Sequence, residues 1–571
     1  MKRLQIACCF LLVTSIFFQP FLCQGQTENP DEIPQGKIEK FLYKESKIFP
    51  GTEREVSVYI PAQLDSTKPA CVYVHQDGLK KDLNTILDTL IAKREIPVVV
   101  GVFIRPGILP SPVDSTLDRP NRCYEYDGLG DNYVRFLLEE ILPYVSTRYK
   151  LNLSDNGNDR CIGGGSSGGI CAFNTAWERP DAFSRVYCIS GSFVAFRGGN
   201  EFSTLIRKTE AKPIRIFLTT GNDDMKNCAG DWTLIDQEVD KALSFSGYEH
   251  VFHLLEGGHG VGSISRFAEG MKYLWKDWPE PVKAGASAPR IQDIILPGET
   301  WQTVSSGYTD ACGPACNAKG VVYFSDPANN KIYRIDTEGH INTFTENAGY
   351  SNGLSFDANG NLFSVSEKTG KITVYDTNGK GKTYASDIRG KYILAGPDGK
   401  LYVSGGTSSE KSGEVWMVKN GKKTLVDRGL KKPAGIAISP DRWLLAVADN
   451  ESHSVYSYKI TSDGTLTDKE RFYWLLVPDR EDNSEAESVC YDREGHLYVA
   501  TNSGVQVCAW DGPTQVILPL PGKEKVTGIC IGGHDFDILY AFCRDKIYKR
   551  KIKGHTLGSF TPWTKMTRGK L

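Results

Sequence analysis

The sequence predicts a two-domain protein, an α/β unit with a mostly parallel sheet covered by helices on both faces, followed by an all-β six-bladed propeller. Three observations carry this. Short apolar runs alternate with helical patterns as far as about Asp277. A stretch rich in Pro, Ala and Gly follows, from Trp278 to Pro289. Beyond it, a strand phrase of constant shape recurs about every 40 residues.

In the first unit the runs are 70–75, 96–103, 186–190, 214–219 and 251–255, each of strand length and mostly apolar throughout. Such runs suit strands buried on both faces. The segment 133–145 has apolar residues at 134, 137, 138, 141, 142 and 145, the spacing of one helix face. In the second unit the phrases centre on Tyr323, Phe363, Tyr402, Leu445, Tyr498 and Tyr540, with successive spacings of 40, 39, 43, 53 and 42 residues. Asp-x-x-Gly turns precede several of them, and second strands such as 331–336 and 371–376 follow. A unit of about four short strands is a propeller blade, and six units make a ring. The expected boundaries are a leader over 1–26, an α/β domain over 27–278, a linker over 279–290 and a propeller over 291–571.

The leader is read from Lys2 and Arg3, the apolar run 6–18, and the polar Gln-Gly-Gln that follows Pro20. Thirteen residues are short for a bilayer, so the segment reads as a cleaved secretory signal, and the mature protein is expected to be secreted or periplasmic. Lipidation at Cys23 is disfavoured by the bulky Leu22 before it. No later run has transmembrane length. The 67 basic and 69 acidic residues leave a net charge of −2, which speaks against a nucleic-acid partner. Of fifteen cysteines, Cys8, Cys9 and Cys23 lie in the leader, and Cys71, Cys161, Cys171 and Cys188 fall within apolar patterns as small core residues. Cys312 and Cys316 resemble half a zinc site with no second half.

The chemistry concentrates in the first unit. Gly163-Gly-Gly-Ser-Ser-Gly-Gly169 lies between a short strand and a helical pattern, the setting of a nucleophile elbow, with Ser166 or Ser167 as nucleophile. Gly221-Asn-Asp-Asp224 follows a later strand, and Glu256-Gly-Gly-His-Gly260 follows the next. Serine, acid and histidine in that order, each just past a strand end, are what an α/β-hydrolase triad requires. His259 is the histidine in a glycine-flanked loop; His253 lies within a strand and His250 begins it. A further strand ends in the sharp turn His75-Gln-Asp-Gly78, and the backbone N–H near Leu79 would complete an oxyanion hole, with Asp77 as a turn residue. The loop Arg122-Cys-Tyr-Glu-Tyr-Asp127 places Arg122, Tyr124, Glu125 and Tyr126 as candidate substrate contacts.

On His75-Gln-Asp-Gly78, Gly164-Gly-Ser-Ser-Gly-Gly169, Pro180-Asp-Ala-Phe183 and Glu256-Gly-Gly-His259, residues 43–275 resemble the esterase family of α/β-hydrolases that includes enterochelin, feruloyl and acetyl-xylan esterases. The resemblance implies Ser166 as nucleophile, Ser167 as an oxyanion N–H donor, and Asp224 as the acid, with Asp223 as the alternative. Residues 291–571 are similar to the senescence-marker/gluconolactonase family of six-bladed propellers, on 322–327, 351–354, 497–501 and 504–507. That resemblance implies a divalent cation, usually calcium, in the central channel, and lactone hydrolysis. The implied ligand phrases have changed here to Cys312-Gly-Pro314, Pro433-Ala-Gly435 and Glu487-Ser488, and an expected Asn-Asp pair falls on Lys391-Tyr392. The expectation is therefore no metal and no cofactor, with a ligand set rebuilt from Asp326 or Asp449 as the alternative.

The expected activity is serine-esterase hydrolysis of acetyl or feruloyl-type esters of carbohydrates, the propeller being accessory. The alternatives are a siderophore esterase, an esterase joined to a metal-dependent lactonase, and a glycan-binding protein without turnover.

Overall fold

The computed structural model describes residues 33–405, 413–477, 481–522 and 524–556. The leader and the last fifteen residues of the expected propeller lie outside them. Among the described residues no helix is long and apolar enough to cross a membrane.

The first unit is built on one eight-stranded sheet: β1 (Lys37–Tyr43), β2 (Arg54–Ile60), β3 (Cys71–Gln76), β4 (Val99–Ile104), β5 (Arg160–Gly165), β6 (Arg185–Ile189), β7 (Arg215–Gly221) and β8 (His250–Leu255). Their order across the sheet is β1-β2-β4-β3-β5-β6-β7-β8. The sheet is mixed, because β2 runs antiparallel to both of its neighbours; from β4 to β8 every pairing is parallel. All five strands foreseen in the sequence are present, to within three residues at their ends.

Alternation along each strand splits the core in two. Val72, Val74, Val100 and Val102 face one side with the helices of 134–145, Ser167–Glu178 and Trp232–Phe245. Tyr73, Phe103, Tyr187 and Phe217 face the other with Leu83–Ala92 and Phe267–Trp275. Both faces exclude water, which is why β4 reads Val-Val-Gly-Val-Phe-Ile with every residue buried. Cys71, Cys161, Cys171 and Cys188 are buried within these cores.

The segment joining the units is not a free tether. Val282, Ser287 and Ala288 are buried, and the helix Pro289–Ile294 inserts Ile291 and Ile294 among Tyr498, Val516 and Ile552 of the second unit. Thr209 bridges Ile517, and Glu210 meets the fully buried Arg550 through two hydrogen bonds of 2.7 and 3.0 Å. A cavity of about 220 Å³ lies between the units, walled by Trp177, Phe202 and Leu205 on one side and Leu476, Ile517 and Leu520 on the other.

The second unit is a β-propeller of five sheets among the described residues, which corrects the expectation of six separate blades. Four sheets have four antiparallel strands each. The fifth has six, because Gln302–Cys316 is one long strand serving two neighbours: its C-terminal half pairs with Val322–Asp326, its N-terminal half with 546–549 of the last strand. The first and last sequence repeats are thereby fused by backbone hydrogen bonds, and the ring is closed by pairing the start of the domain to its end. A count of sequence phrases cannot register such a fusion, since it adds no residues.

Candidate functional site

The site is assembled at the C-terminal ends of β5, β6, β7 and β8. Ser166 joins the end of β5 to the helix Ser167–Glu178 at φ +58°, ψ −128°, a backbone conformation costly for any residue with a side chain. The turn is that tight because the helix packs hard onto the sheet. A Cβ on Gly164 would stand 2.4 Å from the Gly168 carbonyl oxygen, and one on Gly169 would stand 2.9 Å from Cys188 Sγ. The glycines are thus a packing requirement, and the strain they permit projects the Ser166 side chain away from the core.

Asp224 and His259 are paired by a 2.6 Å hydrogen bond between Oδ1 and Nδ1. Asp224 is buried and also accepts from Met225 N–H at 2.7 Å and the Thr220 hydroxyl at 3.2 Å. Burial pushes its carboxyl up, but hydrogen bonds from Ser190, Met225 and His259 outweigh this and hold it below the usual carboxylate range. Behind it, burial and the charge of Asp224 push the Asp236 carboxyl well above that range, against the Thr220 hydroxyl beside it. Asp223 is exposed, with its N–H spent on the Gly257 carbonyl. Of the two acids left open by spacing, the one on the imidazole is Asp224.

The Nε2 atom of His259 has no hydrogen-bond partner among the described residues, and the hydroxyl of Ser166 shares a 3.4 Å hydrogen bond with that of Ser192, not with the imidazole. Both loops are nonetheless tied to one segment. Ser166 N–H donates to the Ile189 carbonyl at 2.9 Å, Ser192 N–H to the Ser166 carbonyl at 3.1 Å, and Gly260 N–H to Ser190 Oγ at 3.1 Å. Catalytic hydrogen bonds commonly tighten only when substrate is bound.

Ser167 sits at the helix N-terminus and Leu79 follows the turn after β3; the N–H of neither donates to another described residue. Asp77, at φ +66° in that turn, accepts two hydrogen bonds from Arg122, of 2.7 and 2.8 Å. Two of the four candidate contacts in the 122–127 loop face inward and are corrected here. Glu125 forms a buried ion pair with Arg54 at 2.6 Å, and Tyr126 is buried with its hydroxyl donating to the Ile104 carbonyl. The sequence shows alternating polar and aromatic residues there, but a helical turn over Arg122–Tyr126 sends positions 125 and 126 beneath the surface. Arg122 and the exposed Tyr124 remain at the rim, Tyr124 under the Arg197 guanidinium at 5.2 Å.

Sequence reasoning missed Ser190, Ser192 and Trp232. Ser190 is strained at φ +46° and bonds both the acid and the histidine loop; Trp232 sets its ring edge-on to His259 at 6.2 Å between centroids. The available signal was Ser190-Gly-Ser192 directly after β6, beside the strand that leads into Ser166.

In the propeller, the donors at the channel do not fit a hard divalent cation. Both oxygens of the buried Glu487 are taken, Oε2 by Lys391 at 3.0 Å and by the Tyr392 hydroxyl, Oε1 by Asn450 and Lys525 at 3.2 Å each. The Cys312 thiol is buried and Ala434 offers a methyl. Asp326 and Asp449, the residues considered for a rebuilt site, accept backbone N–H groups of Thr309 and Asn329, and of Lys431 and Lys432. Among the described residues, the one group of three closely spaced potential ligands is Asp336, Glu338 and His340, in an exposed turn.

Residues 46–263 match the family model described as "Putative esterase", and residues 393–542 match the SMP-30/Gluconolactonase/LRE-like region. Two families are matched, one in each unit. Among curated relatives, the Pentonolactonase XacC of Haloferax volcanii is 24% identical over 225 residues, covering 38% of this chain and 76% of its own length. The Gluconolactonase of Zymomonas mobilis is 21% identical over 285 residues, covering 43% and 79%. A solved ferulic acid esterase aligns with a TM-score of 0.34 at 20% identity, over 42% of this chain and 98% of that one.

Proposed function

We propose that the protein is an exported serine esterase whose first unit is an α/β-hydrolase, acting on acetyl or feruloyl-type esters of carbohydrate, with the propeller as accessory domain. The observation that carries this reading is Ser166, held at a positive φ between strand and helix, beside strand ends that bear a 2.6 Å carboxylate–imidazole pair. Export rests on residues 1–26 as a cleaved signal, which directs the chain to the periplasm or beyond.

In the proposed mechanism Ser166 Oγ attacks the ester carbonyl as His259 Nε2 takes its proton. Asp224 fixes the tautomer in which Nδ1 carries hydrogen and Nε2 is free to accept, and it stabilises the imidazolium that forms. The N–H groups of Ser167 and Leu79 receive the developing oxyanion, aided by the partial positive charge of the helix N-terminus. His259 then returns the proton to the departing alcohol, and water activated by the same imidazole releases the acid.

The relatives named as lactonases bring lactone hydrolysis by the propeller as a second reading, and the occupied lone pairs of Glu487 count against it. The test is labelling with a fluorophosphonate. The wild type is expected to react and Ser166→Ala to be silent, and an unlabelled wild type would leave the glycan-binding alternative. A panel of feruloyl, acetyl and catecholate esters then separates the carbohydrate from the siderophore substrate.

A further inference from the structure

We infer that the propeller closes its own channel to divalent cations, with the ammonium of Lys391 standing as a tethered counter-cation on Glu487. An ionised carboxylate offers about four acceptor sites. Glu487 has four donors from four other side chains, two on each oxygen: Lys391 and Tyr392, Asn450 and Lys525. These come from widely separated parts of the ring. Tyr392 opens the inner strand Tyr392–Ala395 with Lys391 just before it, Asn450 follows the strand Leu444–Asp449, and Lys525 precedes Gly528–Gly532. Glu487 itself is fixed by its backbone, its N–H donating to the Ala500 carbonyl and its C=O accepting from Gly435.

Charge is balanced in the same way. Lys525 also meets Glu485 at 2.8 Å, so two ammonium groups face two carboxylates. A metal ion taking this carboxylate would have to displace donors from it, and the two ammonium groups among them have no lone pair to offer in return. The brace ties strands across the channel, so it performs for the fold what a bound ion would perform, without dependence on ion concentration.

The consequence is measurable in the full chain without any ester. In wild type, millimolar calcium or manganese, or a chelator, is expected to leave the propeller melting transition unmoved. Lys391→Met, which strands the carboxylate, is expected to lower that transition by about 5 to 10 °C. Lys391→Met combined with Glu487→Gln is expected to recover more than half of the loss, because the unpaired charge is gone. A cation-dependent rise in the wild type overturns the inference, as do losses that simply add in the double variant. Since none of these readings involves Ser166, the inference and the proposed esterase fail independently.

Discussion

Replacing Asp224 by asparagine isolates the chemical part of the site from its packing, because the two side chains have nearly the same shape. The structure states what the amide must do. Position Oδ1 accepts from both His259 Nδ1 and Met225 N–H, and Oδ2 accepts from the Thr220 hydroxyl. Asparagine has one oxygen. If it takes the Oδ2 position, its NH2 faces Met225 N–H, donor against donor. If the oxygen keeps Oδ1, the amide holds its geometry but the charge that stabilises the imidazolium is lost. In the first case the NH2 donates to Nδ1 and leaves the proton on Nε2, where it cannot accept from serine; in the second Nε2 stays free but the imidazolium has no counter-charge. The expected loss in kcat is about 10⁴-fold, or about 5 kcal/mol of transition-state stabilisation, with KM little changed. Steady-state hydrolysis of an activated aryl ester provides the assay, with Asp223→Asn as the matched control, expected within about two-fold of wild type since that residue is exposed. Should Asp224→Asn keep a tenth of the activity, or Asp223→Asn fall as far, the assigned triad is refuted.

Three further outcomes are expected. His75 is buried beside the Tyr73 hydroxyl at 2.7 Å, and burial, assisted by Lys80, lowers its pKa to about 3. The unfolded chain takes up this proton near pH 6.5 and the folded one only near 3, so stability falls as pH drops through that window, by up to about 1.4 kcal/mol per unit; urea titrations at several pH values should show a flatter dependence in His75→Leu. Glu210→Ala leaves the buried Arg550 guanidinium without its carboxylate, and calorimetry is expected to show a loss of about 3 kcal/mol and separate melting of the two units. Gly164→Ala forces a methyl against the Gly168 carbonyl and should cost about 1 to 3 kcal/mol in thermal unfolding, with a larger loss of fluorophosphonate labelling as the elbow opens.

How much of this was legible in the sequence differs from element to element. Most of the parallel strands were readable because burial on both faces writes an unbroken apolar run of strand length, as in 99–104. Strand β2 was not, since Arg-Glu-Val-Ser-Val-Tyr-Ile begins with the buried Arg54, whose charge makes sense only once Glu125 arrives from 71 residues away. The serine, acid and histidine loops were readable because each chemistry-bearing residue sits in a glycine-rich strand end. Ser190 and Trp232 were not, because their roles consist of contacts to residues distant in sequence. The repeat phrases marked the second strand of each propeller unit, yet the pairing of 302–306 with 546–549 has no counterpart in spacing, so the sheet count came out differently.

Arg122 resembles a substrate contact, since a guanidinium at the mouth of the proposed site invites an anionic or hydroxylated ligand. Its Nε–Nη2 edge is already spent: both bonds go to Asp77, and Nη2 also reaches the Gly165 carbonyl at 3.4 Å, beside Ser166. Asp77 is the positive-φ residue of the turn that presents Leu79, so the guanidinium joins the two halves of the proposed oxyanion hole. Arg122 is accordingly a positioning residue. Arg122→Lys keeps the charge but cannot span Asp77 in two parallel bonds, and it should lower kcat while leaving KM within about two-fold. A rise in KM at constant kcat would return Arg122 to the role of a substrate ligand.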